Sequence, residues 1–92
     1  MRIGEVHARA QASVFLAALR VEIDGVSAEI EKASAAGDRA LRNGYLVAHR
    51  RYVDAEATAR KKLYELHRLV DNLRSRFPEL EPSTRNLRDT SR

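Results

Sequence analysis

Residues 16–33 read LAALRVEIDGVSAEIEKA, and the spacing of the apolar side chains in this stretch decides the fold. Leu16, Leu19, Ile23, Val26, Ile30 and Ala33 recur at steps of 3, 4, 3, 4 and 3. That alternation holds one stripe of an α-helix against a neighbouring helix. Ala12 extends the stripe backwards. Asp24-Gly25 is a turn dipeptide, and Val21-Glu22-Ile23 before it reads as one arm of a β-hairpin. The stripe keeps its phase across Gly25, so the helix continues, at a cost of about 1 kcal/mol for the glycine.

Toward the C-terminus, Gly37 occupies the place of a left-handed helix-ending residue and Asp38 that of an N-cap. A second seam follows. Leu41, Tyr45, Ala48, Tyr52, Ala55 and Ala59 run at alternating 4 and 3 steps, and Leu63, Leu66, Val70, Leu73 and Phe77 resume after one extra step of 4. Such an insertion unwinds a supercoil locally without breaking the helix. Asn43-Gly44 is the weak point of this second helix, whose start can slip to Tyr45. Pro78 ends it by pushing the preceding residue out of helical geometry. The expected architecture is all-α: a two-helix antiparallel coiled-coil hairpin over residues 1–78, with helix 1 at about 4–36 and helix 2 at about 38–77. Residues 79–92 (ELEPSTRNLRDTSR) are polar and aperiodic, and are expected to form a flexible tail.

Composition agrees. Glycine and proline number four and two in 92 residues, and cysteine is absent, so no disulfide or thiolate metal site reinforces the small core. The longest apolar run near the start, Val14 to Leu19, is too short for a signal or membrane-spanning segment. The expectation is a cytoplasmic protein. The formal charge of +4 is uneven: residues 3–36 carry three basic groups against five acidic, and residues 38–77 ten against five. An acidic helix beside a basic one favours antiparallel docking within the chain.

The clearest functional signal is that helix 1 is apolar on two sides. Ile3, Val6, Ala10, Val14, Ala17, Val21 and Ala28 lie roughly opposite the seam at 100° per residue. A hairpin supplies one neighbour, and two stripes need two. Helix 2 carries a shorter extra patch of Leu46, Val53 and Tyr64. Each such side chain is worth about 1.5–3 kcal/mol when buried, against a total stability of about 5–15 kcal/mol for a domain. The bland alternative is that these are scattered apolar residues of the kind every surface carries. The sharper expectation is a non-enzymatic interaction or assembly module, an adaptor or structural protein. It would complete a bundle by self-association or with a heterologous helical partner.

An alternative is nucleic-acid binding through Arg39, Arg50, Arg51, Lys61, Lys62 and Arg68 on the outer face of helix 2, a stripe about 40 Å long. Against it stand the ordinary solvated helix face and the carboxylates at helical spacing, Asp38–Arg42, Glu56–Arg60, Glu65–Arg68 and Asp71–Arg74.

No catalytic, metal, cofactor or small-molecule constellation emerges. His49 and His67 are about 27 Å apart along one helix and cannot share an ion. No HExxH, ExxH or glycine-rich phosphate loop occurs. Leu19-Arg20-Val21-Glu22-Ile23-Asp24-Gly25-Val26-Ser27-Ala28-Glu29-Ile30 resembles the opening of the all-helical chorismate mutases, with Ser27 where that pattern has a second aspartate. The chain's size and Tyr52-Val53-Asp54-Ala55-Glu56 are similar to small helical-hairpin secretion substrates, whose tryptophan this chain lacks. The first resemblance covers about twelve residues and implies an enzyme, the second an exported hairpin. The expectation from the residues themselves is no enzyme.

Overall fold

The computed structural model describes residues 3–80, the side chains of Ile3 and Glu5 excepted. Two α-helices pack against each other as a hairpin: α1, Ile3–Arg42, and α2, Leu46–Arg76. A single 3-10 turn, Pro78–Leu80, follows. The molecule measures 63 Å along its longest axis, which is close to the length of a 40-residue helix at about 1.5 Å per residue.

The inner seam of α1 is the one its periodicity predicts. Ala12, Leu16, Leu19, Val26 and Ile30 are buried, with Ile23 and Ala33 half-buried. Leu16, Leu19, Val26 and Ile30 form one cluster with Ala59, Leu66 and Val70 of α2, and Ile23, Leu63, Leu73 and Leu80 pack against it. The helices run antiparallel, as Glu22–Lys62 (3.5 Å) and Arg9–Glu79 (2.9 Å) show by their register. Helix α1 runs unbroken through Gly25, and α2 through the extra step between Ala59 and Leu63.

The turn lies elsewhere than expected. Helix 1 does not stop at 36, and neither Gly37 as a terminator nor Asp38 as an N-cap is correct: α1 continues six residues further. The left-handed residue is Gly44, at φ +79°. Its amide donates to the Leu41 carbonyl (3.1 Å) and that of Tyr45 to the Ala40 carbonyl (2.8 Å), the paired closure made by a glycine helix cap. Ala40, at the position where that motif places an apolar residue, is buried. Helix α2 therefore starts at Leu46, not at 38, and Leu41 belongs to α1.

Gly37 has a different task. A Cβ added there would lie 3.3 Å from Cβ of Tyr52 and 3.7 Å from Nδ1 of His49. The glycine lets the two backbones come close, and the His49 ring N–H donates to its carbonyl across the interface at 2.9 Å. Close approach leaves little room for large side chains in this part of the seam. Tyr45, Tyr52 and Ala55, expected inside it, are exposed.

The other end also differs from expectation. Phe77 leaves helical geometry at φ −133°, ahead of Pro78, while its amide still bonds the Leu73 carbonyl (2.8 Å). Residues 79 and 80, assigned above to a flexible tail, are docked. Glu79 pairs with Arg9, and Leu80 packs on the core. The remainder of that segment, 81–92, lies outside the described residues.

Candidate protein-interaction site

The candidate surface is the side of α1 turned away from α2. Val6, Ala10, Val14, Ala17, Val21 and Ala28 are all exposed there, Val14 and Val21 at 71% and 73%. The side chain of Ile3, placed in the same stripe, lies outside the described residues. The reason for this exposure is geometric. A helix spans 360°, and one partner covers the sector around Leu19 and Ile23, so the sector opposite meets solvent.

Sequence reasoning missed Phe15. It is about half exposed and borders a shallow depression of about 400 Å³ with Ala10, Gln11, Val14 and Ala18. At 100° per residue Phe15 shares the azimuth of Ala33, at the margin of the inner seam rather than in the outer stripe. Its ring is left half exposed on the flank of α1 between α2 and the outer face.

Leu46, Val53 and Tyr64 are exposed on α2, at the positions facing away from α1. The hairpin does not bring them together with the α1 stripe, since the two sets lie on opposite flanks of the helix pair. Leu46 differs from the other two in sitting at the first position of α2, beside the turn.

The basic set is divided. Arg39 is not on α2 at all: the displaced turn puts it in the last helical turn of α1. There it borders an alanine-floored groove of about 510 Å³ with Lys32, Ala36, Tyr52 and Ala55. Lys62 faces Glu22 of α1, and Arg68 pairs with Glu65 (3.3 Å). Arg60 pairs with Glu56 at 2.7 Å, as helical spacing predicts. Arg50, Arg51 and Lys61 are exposed and carry no ion pair among the described residues. After the turn is placed correctly, α1 holds five basic groups against six acidic and α2 eight against four, so the charge contrast between the helices persists. The ion pairs it produces are surface pairs, each worth about 0–1 kcal/mol.

A second group that periodicity could not reveal spans both helices. Arg20 and Asp24 of α1 and His67 and Arg74 of α2 border a depression of about 350 Å³, floored by Ile23 and Val70. Its members are drawn together by the antiparallel register, which can be read only once the turn is known. Among the described residues, no group of three histidine, cysteine, aspartate or glutamate side chains is placed to hold a metal ion. None of their helices is long and apolar enough to cross a membrane. Comparison of the chain with known protein families, characterised proteins and solved structures finds no match.

Proposed function

We propose that this chain is a helical-hairpin assembly module that associates through the outer face of α1, with a second copy of itself as the partner. The observation that carries the reading is the exposure of Val14 and Val21, directly behind a seam whose inner side α2 already covers. Burying such side chains is worth about 1.5–3 kcal/mol each.

The composition of the stripe favours self-pairing. If two α1 helices cross antiparallel about a two-fold axis near residues 15 and 16, Val14 meets Ala17 of the other copy and Val21 meets Ala10. Each large side chain then opposes a small one, the condition for close interdigitation, and a two-fold contact is self-complementary by construction. Val6, partly exposed on the same face, extends the contact.

Sedimentation at micromolar concentration tests this. The expected result is a dimer that Val14→Glu or Val21→Glu converts to monomer with far-UV helicity largely intact, while Lys61→Glu changes nothing. A wild-type chain that stays monomeric, or equal dissociation by Lys61→Glu, would remove the reading.

A second reading, nucleic-acid binding by α2, draws on the unpaired Arg50, Arg51 and Lys61. It expects duplex binding that falls steeply with added salt and disappears when those three become Glu. No binding at low salt excludes it.

A further inference from the structure

The turn end of the hairpin presents a surface that the association reading does not use. Within residues 41–47, Leu41 is 50% exposed, Tyr45 and Leu46 are 65% exposed, and Val47 is 73% exposed. They cap one extremity of a rod 63 Å long. Helical side chains lean toward the helix N-terminus, so those of Leu46 and Val47, in the first turn of α2, lean out over the loop and away from the body.

Behind this apolar cap stands a basic collar. Arg39 and Arg42 occupy the last turn of α1, and Arg50 and Arg51 the second turn of α2. Residues 38–54 hold these four arginines against Asp38 and Asp54. The first turn of α2 contains no acidic residue and its N-cap, Tyr45, makes no side-chain capping bond.

Charge decides among the occupants. Tip-to-tip contact between two copies would bring eight arginines together, and like charges disfavour it. An anionic lipid surface matches both parts: aliphatic side chains enter the acyl boundary, a tyrosine ring sits at headgroup level, and arginines meet the phosphates. We infer that the hairpin tip docks reversibly on anionic membranes, with Tyr45, Leu46 and Val47 inserted and the four arginines at the headgroups. The inference rests on residues separate from the α1 stripe and stands or falls without it.

Vesicle co-sedimentation of the full chain provides the test. The wild-type chain should bind phosphatidylcholine vesicles containing phosphatidylserine at about 0.15 M salt, and phosphatidylcholine alone weakly or not at all. Leu46→Glu with Val47→Glu should weaken partitioning at least about tenfold. So should Arg50→Glu with Arg51→Glu, since each basic residue near such a surface is worth roughly fivefold. Val21→Glu should stay within about threefold of the wild type. All these positions are exposed, so helicity by circular dichroism should survive. Because the chain has no tryptophan, V47W offers an independent readout: a blue shift, and quenching by brominated lipid.

Absent binding, equal binding to neutral vesicles, or binding indifferent to the Leu46 and Val47 changes would overturn the inference. So would a loss with Val21→Glu as large as that from the tip pair. Quenching of V47W by single-stranded DNA without vesicle binding would reassign the tip to nucleic acid.

Discussion

Through the middle of the hairpin and toward its end remote from the turn, the helices meet through Leu16, Leu19, Val26, Ile30, Leu66 and Val70. At the turn end Gly37 lies against His49 and Tyr52, and the small Ala33, Ala36, Ala40 and Ala48 around it are buried or half-buried. The first kind of packing buries about 1.5–3 kcal/mol per side chain, and an alanine methyl contributes less than about 1 kcal/mol. The difference follows the covalent chain. Near the turn, a short loop already holds the helices together and little closure entropy remains to be offset. Far from it, nothing but side chains prevents the helices from splaying. The larger residues are there, reinforced by Leu80 on the core and by Arg9 against Glu79. One consequence is that the turn end keeps its big apolar residues on the outside.

The sharpest way to break this contrast is at the leucine end. Leu19 is 4% exposed, and Leu19→Ala should cost about 2–5 kcal/mol in urea denaturation. A loss below about 1 kcal/mol would mean that the stability resides elsewhere.

At the alanine end the test is steric. Gly37→Val places branched carbons where a single Cβ already meets Tyr52 at 3.3 Å. It should cost about 1–3 kcal/mol by forcing the backbones apart. Amide exchange near residues 33–52 should rise before that near 16–30. Uniform loss of protection would argue that the two ends are one cooperative unit.

The smallest effects come from a matched pair of glycines. Gly44→Ala should cost about 1–2 kcal/mol, because its φ of +79° disfavours a Cβ. Gly25→Ala should instead stabilise by about 0.5–1 kcal/mol in the same thermal or urea melts, since nothing lies within 4 Å of the new methyl group.

These glycines also show where the sequence could be read and where it could not. The inner stripe of α1 was legible because each of its positions is set by the same local period, and the outer valines were legible for the same reason. The turn was ambiguous, because Gly37-Asp38 and Asn43-Gly44 both carry residues suited to ending a helix. Local propensity cannot separate a glycine that must be left-handed from one that must be small. What distinguishes them is Tyr52 and His49 arriving from fifteen and twelve residues away. The six-residue displacement of the turn then accounts for the other differences. It moves Arg39 onto α1, turns Leu41 and Tyr45 from expected core into an exposed tip, and sets the register that gathers Arg20, Asp24, His67 and Arg74. The docking of Leu80 has no signal in the sequence, because an isolated apolar residue among polar ones has no period.

The amino-acid sequence by itself determined that two amphipathic helices form, which side of the first faces inward, and that a second side is left apolar. Periodicity is a local property, and neighbouring residues suffice to define it. The tertiary structure alone decided where the chain reverses, which glycine is left-handed and which is close-packed, and which charges share a surface. Those outcomes depend on atoms that meet only after the helices have docked.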